Sequence, residues 1–397
     1  MSGRRLSRRG LLAGGAVAAG GLAATGGYLT GRGTAPGESE ANAAEQPGTV
    51  PFHGVHQAGV ATPPQTYGAF VAFDLRAGTT KESLGRLMRL LTDDARRLTE
   101  GRPGLADAQP ELAGLPARLT VTFGFGPGLF TKTGLEHQRP ITDLPDFKVD
   151  RLEDRWSRGD LLVQLCGEDA VTLAHALRLI VKDARDFATV RWVQRGFRRS
   201  PQAQPPGQTQ RNLMGQLDGT VQPADLDKAV WISGGGPAWL KGGTLMVLRR
   251  IRMDLEKWDA ADEAAKEFSM GRKLADGAPL TGGKETDDPD FTAKDEVGFP
   301  VIDDDAHIRL ARTGDPALRM LRRGYNYEED VSHDGVVDSG LLFVAYQADL
   351  ARQFVPVQKR LAESDLLNAW TVPIGSAVFA MPPGCDERGW IGETLLA

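Results

Sequence analysis

The first half of the chain alternates between short apolar runs and one long segment with helical periodicity. Leu84, Leu87, Leu90 and Leu91 recur at the spacing of one helix face and predict a helix over 81–98. The other elements predicted in this half are strands over 69–75, 119–125, 160–165 and 189–197 and a helix over 170–184. The resulting order, β-α-β-β-α-β, is that of a ferredoxin-like domain.

The second half repeats this plan with longer insertions. It has strands predicted over 228–233, 243–253, 341–347 and 377–381, with helices over 259–270 and 350–362. Pro201 and the run Pro205-Pro206-Gly207 indicate a linker between the halves. We therefore expect an α+β protein of two ferredoxin-like domains with antiparallel sheets. The boundaries are predicted at 44–210 for the N-terminal domain and 211–397 for the C-terminal domain.

The N-terminus has the pattern of an export signal. Four arginines, Arg4, Arg5, Arg8 and Arg9, precede an apolar run rich in Ala and Gly that extends from Leu11 to about residue 29. Ala41-Asn42-Ala43 offers a small-x-small cleavage site, so residues 1–43 are predicted to be a twin-arginine signal peptide. A transmembrane anchor fits less well, because so many glycines insert poorly into a bilayer. The prediction is recognition by the twin-arginine machinery and a periplasmic, extracellular or cell-envelope location.

Composition and charge narrow the function classes. The chain has 397 residues, of which 41% are hydrophobic and 25% charged, as in ordinary globular proteins. The formal net charge is −5, and residues 1–43, with five Arg and two Glu, contribute +3, so the remainder carries −8. This balance argues against nucleic acid as a partner. Cys166 and Cys385 form no CxxC or CxxCH motif, which excludes a zinc knuckle and thioether attachment of a haem.

Four segments in the second half contain residues suited to chemistry. Asp218 lies in a loop between Gly215 and Gly219, His307 lies among basic and apolar residues, and Arg322 begins an Arg-Arg pair. Taken singly, each has a more ordinary interpretation. An Asp-Gly pair usually forms a turn, a lone His is more often structural than a ligand, and paired arginines are usually solvated. The fourth segment, the apolar run after residue 340, is predicted to be a strand.

The combination and order of these segments resemble the dye-decolourising peroxidases. The matching motifs are the GxxDG loop ending at Gly219, the HIR segment at His307, the LRRGYNY segment from Leu321 and the GLLF segment from Gly340. The chain looks closest to the exported branch that includes haem-processing proteins of bacterial iron-uptake operons. The resemblance implies a pair of ferredoxin-like domains with one non-covalent haem b per chain, held mainly by the C-terminal domain.

The resemblance also implies catalytic roles for three residues. His307 matches the proximal ligand of the haem iron, which leaves the opposite face open for hydrogen peroxide. Asp218 matches the distal acid, which moves the peroxide proton. Arg322 matches the distal arginine, which stabilises charge as the O–O bond breaks.

Five further residues are assigned to the haem pocket in the same way. Asp365 matches the carboxylate that accepts a hydrogen bond from the proximal imidazole. Leu341 and Phe343 are predicted to line the distal pocket, and Gly219 permits close approach of the backbone to a flat ligand. Arg309 is predicted to bind a haem propionate.

The function implied is that of a haem peroxidase that uses hydrogen peroxide to oxidise dyes, phenolic compounds or other one-electron donors through a ferryl haem radical. Two alternatives stay open on the same fold: a deferrochelatase that releases iron from haem for iron uptake, and a non-catalytic haem carrier, which needs neither Asp218 nor Arg322. Bulky donors are expected to react at a surface Trp or Tyr, and the sequence does not choose among Trp156, Trp192, Trp231, Trp239, Trp258, Trp370 and Trp390. It also leaves open a homo-oligomer.

Overall fold

The first half of the chain builds an antiparallel sheet covered on one face by helices. The computed structural model describes residues 48–204, 208–331, 335 and 337–397; the predicted signal peptide lies outside these ranges. The elements of this half are β1 (Tyr67–Leu75), α1 (Lys81–Thr99), β2 (Thr120–Phe125), α2 (Pro127–Lys132), β3 (Leu161–Gly167), α3 (Ala170–Asp183) and β4 (Ala188–Phe197). The strand order is β2-β3-β1-β4, the arrangement of a ferredoxin-like sheet.

Helix α1 shows why the periodicity in this half predicted the fold well. Thr80 caps its N-terminus by accepting a hydrogen bond from the backbone N–H of Ser83. Leu84, Leu87 and Leu91 are fully buried against the sheet, while Leu90 is 37% exposed. Burial of this leucine face, by the hydrophobic effect, holds the helix on the sheet.

The second half repeats the arrangement around a second antiparallel sheet. Its elements are α4 (Leu226–Ala229), β5 (Thr244–Met253), α5 (Leu255–Ala260), α6 (Glu263–Met270), α7 (His307–Leu310), β6 (Leu321–Arg322), β7 (Tyr325–Val331), β8 (Val337–Gln347), α8 (Phe354–Ser364), β9 (Thr371–Met381) and α9 (Glu393–Leu396). Strand β5 pairs with both β9 and β8, and β8 pairs with β7 and β6. This is again the ferredoxin-like order, so the predicted duplicated α+β architecture is confirmed.

The two sheets meet at both of their edges. Phe125 of β2 pairs with Ala380 of β9, and Phe197 of β4 pairs with Asn326 of β7. One apolar cluster lies beneath α1 and α3, and a second fills the space between the sheets. The domain boundary at 210/211 stays a prediction. Within the described ranges, no helix has the length and apolar character needed to cross a membrane.

Two predictions for the second half are wrong. The strand predicted over 228–233 is instead the short helix α4 followed by a loop, because Asp225 caps a helical turn by accepting from Lys228 N–H at 3.2 Å. The helix predicted over 259–270 is divided into α5 and α6, because Ala261 is extended and Asp262 caps a new helix by accepting from Ala265 N–H at 2.7 Å.

Three other elements differ in their bounds. The helix predicted from residue 350 begins at Phe354, and the strands predicted from 341 and 377 begin earlier, at Val337 and Thr371. Strand β7 was not predicted; Tyr325, Asn326 and Tyr327 are buried there in succession, and Glu328 is exposed. β8 matters most for function, because Leu341 and Phe343 face the outer side of the sheet while Leu342 and Val344 face the other sheet.

Candidate active site

His307 is the first residue of helix α7, which follows a turn made by acidic residues. The Asp303 carboxylate accepts from Asp305 N–H at 2.9 Å, and the Asp303 carbonyl accepts from Ala306 N–H at 3.2 Å. Ala306 is fully buried, which anchors the start of the helix. Helix α7 packs against α8. The imidazole therefore projects from a fixed backbone, with 29% of the side chain exposed.

Asp365 holds one nitrogen of this imidazole. It lies where α8 ends, and its side chain is 5% exposed. Its Oδ2 is 2.7 Å from His307 Nδ1, and its Oδ1 accepts from Leu367 N–H at 3.0 Å. Both carboxylate oxygens are thus in use, and their bonds orient the ring. Within the described residues, Asp365 is the only hydrogen-bond partner of the His307 ring, so Nε2 is left as a potential metal ligand.

The electrostatic environment favours the charged form of this histidine. Burial by itself lowers the pKa of His307, but the Asp365 carboxylate, through its charge and its hydrogen bond, raises the pKa above the usual value. Smaller effects on the same pKa come from Arg322, which lowers it, and Asp218, which raises it. These two residues therefore lie close enough to His307 for their charges to act on it.

Asp218 and Arg322 form an ion pair across a gap in the chain of about a hundred residues. Asp218 is fixed by its N–H, which donates to Gln210 O at 2.9 Å, beside a bridge between Arg211 and Leu217. Arg322 lies on the short strand β6. Its Nη1 is 3.5 Å from Asp218 Oδ1, and the two side chains are 29% and 23% exposed. The structure thus brings an acid and a cation, both partly exposed, into direct contact.

Apolar side chains connect this pair with the histidine. The cluster on the outer face of β8 consists of Met214, Met253, Trp258, Leu341 and Leu367, with Phe343 packed against it. One member, Met214, belongs to the loop of Asp218, and another, Leu367, follows Asp365. Leu341 is 7% exposed and Phe343 is half-buried. Leu341 and Phe343, which were predicted to line a pocket, therefore pack in one cluster with residues from the segments that carry Asp218 and Asp365.

Two predicted residues have contacts that bear on their roles. Gly219 has a φ of +117°, a backbone conformation that glycine adopts without strain, and it turns the chain directly after Asp218. The Arg309 guanidinium donates to the carbonyls of Phe291 and Ile302 at 2.9 and 3.1 Å and pairs with Asp304 at 2.6 Å. These bonds occupy Arg309 within its own loop and do not support its predicted role as a propionate ligand.

Other arginines concentrate positive charge near the site. Burial lowers the pKa of Arg272, and the charges of Arg322 and Arg312 lower it further, so these three guanidinium groups lie near one another. Arg272 donates to the carbonyls of Gly277 and Glu285. Arg312 has one side-chain hydrogen bond, to Asp288 at 3.0 Å, on an exposed part of the surface. The carboxylates of Glu285 and Asp288 act on Arg272 in the opposite direction, so charges of both signs lie in this region.

Comparison with known proteins identifies the family to which the chain belongs. The N-terminal family model of Dyp-type peroxidases matches residues 57–198, and the C-terminal model matches residues 209–386. The chain belongs to the Dyp-type peroxidase family. The matches cover both ferredoxin-like halves, so the resemblance inferred from the GxxDG, HIR and LRRGYNY motifs is confirmed, and with it the assignment of the chain to the peroxidases.

Relatives with known names fall into two groups. A dye-decolorizing peroxidase of Thermobifida fusca is 39% identical over 377 residues, covering 90% of this chain and 85% of the relative. A deferrochelatase of Yersinia pestis is 41% identical over 370 residues, covering 87% and 84%. The crystal structure of a DyP-type peroxidase from Cellulomonas bogoriensis superposes with a TM-score of 0.86 at 52% identity and covers 88% of this chain and 98% of that one.

Sequence reasoning missed several residues at the site of this Dyp-type peroxidase. Arg312 lies five positions beyond His307, but a single arginine on a loop has no pattern that sets it apart. Gln222, four residues after Asp218, forms hydrogen bonds to the backbone of Arg322. Contacts between residues so distant in sequence leave no local periodicity. Trp258 could have been selected among the tryptophans only by its packing against the pocket cluster.

Proposed function

We propose that the protein is a peroxidase that binds one non-covalent haem b, with His307 as the ligand of the iron. The observation that carries this proposal is the His307–Asp365 pair. A carboxylate that binds Nδ1 fixes the tautomer with Nε2 free, raises the basicity of the imidazole and stabilises oxidised iron. The haem, when bound, supplies the redox chemistry of peroxide reduction. Binding of the haem, proton transfer and stabilisation of charge must come from residues of the chain.

The residues present fit such a group. Leu341, Phe343 and Met214 supply an apolar surface for a flat macrocycle. Arg312, whose guanidinium donates to the exposed Asp288 and lies 5.6 Å from the Phe291 ring, is better placed to bind a propionate than Arg309, whose guanidinium is held by two carbonyls and Asp304. Non-covalent binding is supported by the cysteines: Cys166 is fully buried between the sheets, and Cys385 lies 3.8 Å from His53. Neither belongs to the pocket cluster.

Asp218 and Arg322 supply the acid–base and electrostatic part of the reaction. The Asp218 carboxylate takes a proton from hydrogen peroxide and returns it to the oxygen that leaves as water. Arg322 presents a fixed positive charge where negative charge develops. A haem carrier would need neither residue, so their pairing at 3.5 Å favours the peroxidase over the carrier. The donors are proposed to be dyes, phenolic compounds and other one-electron reductants.

An absorption spectrum tests this proposal. The purified protein should show a ferric haem spectrum that changes on addition of one equivalent of hydrogen peroxide and returns when a phenolic donor is added. His307→Ala should lose most of the haem, whereas His137→Ala, at an exposed position of the other half, should retain it. A wild-type protein without haem, or a His307→Ala variant with an unchanged spectrum, would refute the assignment.

Iron release from haem is the second candidate function. It is favoured by the name of the Yersinia pestis relative, a deferrochelatase, at 41% identity. The two functions differ in their products. Incubation of the haem-loaded protein with a reductant and an iron chelator should yield free protoporphyrin and chelated iron if the protein is a deferrochelatase. If the porphyrin retains its iron while donors are oxidised on addition of peroxide, peroxidase activity is the function.

We also propose export by the twin-arginine route to the periplasm, the cell envelope or the extracellular space. This rests on Arg8, Arg9 and the weakly apolar run that follows them. Replacing both arginines with lysine should retain the precursor in the cytoplasm, whereas Arg4→Lys with Arg5→Lys should not. Normal export of the Arg8→Lys, Arg9→Lys variant would exclude this route.

A further inference from the structure

The side chain of Gln222 forms two hydrogen bonds with the backbone of Arg322. Gln222 Oε1 accepts from Arg322 N–H at 2.9 Å, and Gln222 Nε2 donates to the Arg322 carbonyl at 3.0 Å. A primary amide has a carbonyl acceptor and an NH₂ donor group in one plane, so it can present a donor and an acceptor side by side, as a peptide group does. The side chain therefore takes the place that a residue of a neighbouring β-strand would occupy.

Arg322 needs such a partner because its own strand is short and lies at an edge. β6 has two residues, which pair with β8 through Leu321 and Tyr346 and through Arg322 and Ala345. In the strand order β6 is the last member, with no strand of the described residues on its other side. The next residue, Arg323, donates its N–H to Val344 O on β8, so the N–H and carbonyl of Arg322 point away from β8, where Gln222 meets them.

The segment of residues 218–222, which carries Gln222, also holds the guanidinium of Arg322. Nη2 donates to Val221 O at 3.0 Å, and Nη1 lies 3.5 Å from Asp218 Oδ1. Gly219, with its φ of +117°, turns this segment so that the Gln222 amide folds back towards it. A Cβ added at Gly219 would lie 3.6 Å from Gln222 Nε2. Backbone and side chain of Arg322 are therefore placed by one segment, which also carries the acid.

We propose that Gln222 is a positioning residue that fixes the Arg322 guanidinium relative to Asp218. The inference rests on the proposed function, in which Arg322 presents its charge to a ligand of the haem iron. Gln222 is proposed to act through its two bonds to the backbone of Arg322. Loss of its amide should leave β6 paired with β8 on one side only and let the arginine move. The effect should therefore appear at Arg322 and nowhere else in the pocket.

The first test measures backbone protection and anion binding without turnover. In the haem-loaded Gln222→Ala variant, the Arg322 amide should exchange hydrogen at least about tenfold faster than in the wild type. Fluoride, an anionic ligand of ferric haem, should bind about tenfold more weakly, which is about 1.4 kcal/mol. Asp227→Asn is the control, because that side chain is exposed on α4 and has no role in holding Arg322. Unchanged exchange and fluoride affinity in Gln222→Ala would overturn the inference.

A second variant separates positioning from simple loss of packing. Gln222→Glu keeps the size of the side chain, but its carboxylate has no proton to donate to the Arg322 carbonyl. As the pH falls through about 4.3, the usual pKa of glutamate, the protonated carboxyl regains a donor and an acceptor. The deficit in fluoride affinity, relative to the wild type at the same pH, should therefore shrink in acid. A deficit that does not depend on pH would contradict the inference.

The double variant Gln222→Ala, Arg322→Leu shows whether Gln222 acts through the arginine. If it does, adding Gln222→Ala to Arg322→Leu should leave the fluoride affinity unchanged, whereas independent effects would add. Additive effects would overturn the inference. Failure of the proposed function is distinguishable, because a wild-type protein that binds no haem, or no fluoride, fails before any variant is compared.

Discussion

His307 Nδ1 and Asp365 Oδ2 lie 2.7 Å apart, and the second oxygen of that carboxylate is held by the backbone N–H of Leu367 at 3.0 Å. The carboxylate is thus fixed by the main chain before it meets the imidazole. In the proposed haem site, this arrangement transfers negative charge to the ligand of the iron and stabilises the oxidised metal.

Asp365→Asn removes that charge while keeping an oxygen that can accept the hydrogen bond. We expect the ferric/ferrous midpoint potential to rise, because a neutral partner stabilises ferric iron less well. Haem affinity should fall by roughly 10- to 100-fold. A potentiometric titration followed by the haem absorption measures the midpoint potential. Haem transfer to an apoprotein acceptor measures the haem affinity.

Glu363→Gln is the control for this prediction, since that side chain lies two residues away and is 77% exposed. It should leave both quantities at their wild-type values. If Asp365→Asn also leaves the potential unchanged, the carboxylate has only a structural role at the end of α8.

The Trp258 and Trp370 rings are in edge-to-face contact, with centroids 5.1 Å apart and planes at 88°. Trp258 is 3% exposed and belongs to the pocket cluster, whereas Trp370 is half-buried and reaches the surface. Their contact offers a path for an electron from a bulky donor. Trp370→Phe should lower the rate of dye oxidation at least about tenfold, about 1.4 kcal/mol in activation free energy, and spare small donors.

Trp156→Phe is the matched control in a dye-oxidation assay at saturating peroxide. The Trp156 ring is flanked by Arg155 and Arg250, whose guanidinium carbons lie 5.1 and 4.3 Å from its centroid. Two positive charges disfavour loss of an electron from that ring, so this variant should oxidise dyes normally. Equal losses in Trp370→Phe and Trp156→Phe would argue against a path through Trp370.

Asp94 makes the stability of the first half depend on pH. It lies on α1, is 1% exposed, and faces Asp183 of α3; one oxygen of each carboxylate has no partner among the described residues. Burial, and then the neighbouring Asp183, raise the pKa of Asp94 to about 7. In the unfolded chain, the pKa of this carboxyl group is about 4. The folded state binds this proton more tightly, so stability is lost as the pH rises from about 4 to about 7.

Asp94→Asn should therefore raise the melting temperature at pH 8 by several degrees and have little effect at pH 4. Thermal unfolding across this pH range measures the difference. Asp93→Asn is the control on the same helix: hydrogen bonds from Arg97 and Arg96 outweigh burial and lower the pKa of Asp93. It should lower the melting temperature at pH 8. An effect of Asp94→Asn on the melting temperature that does not depend on pH would show that the raised pKa of Asp94 is not its cause.

The sequence predicted most of the fold where burial follows a regular period. In the first half β1, β2 and β3 are buried along almost their whole length, so their apolar runs are unambiguous. Residues 229–232 are equally apolar but are buried by a helical turn and a loop, and a short apolar run does not distinguish these. In β7, Tyr325, Asn326 and Tyr327 are buried in succession and Glu328 is exposed, so no period of two marks this strand in the sequence.

The residues of the site also include some that the sequence predicted and some that it did not. Asp218, Arg322, His307 and Asp365 could be predicted because the family resemblance assigns each of them a role, and the structure pairs Asp218 with Arg322 and His307 with Asp365. The sequence could not show which of Arg309 and Arg312 is available to bind a propionate. That depends on which carbonyl and carboxylate groups the fold places beside each guanidinium. Gln222 acts through a side-chain bond to a backbone a hundred residues away, and no local pattern reports such a contact.

The ion pair between Asp218 and Arg322 separates two contributions to peroxide activation. Arg322→Leu should slow the reaction of the ferric protein with hydrogen peroxide by at least about a hundredfold, because a fixed charge at a developing negative centre is worth that much. Haem should remain bound through His307. Asp218→Asn should slow the same reaction by about a hundred- to ten-thousandfold, and this loss should shrink as the pH rises, because hydroperoxide anion needs no base.

Stopped-flow mixing with peroxide across a range of pH measures both rates, with the exposed Asp227→Asn variant as a control. Because the two side chains lie 3.5 Å apart, removing one leaves the other without its countercharge, and the double variant should be less impaired than the product of the single losses. If both single variants react at the wild-type rate, the distal assignment is wrong although the family is right. If only Arg322→Leu is slow, Asp218 is a structural or access-controlling residue, and charge stabilisation with water activates the peroxide.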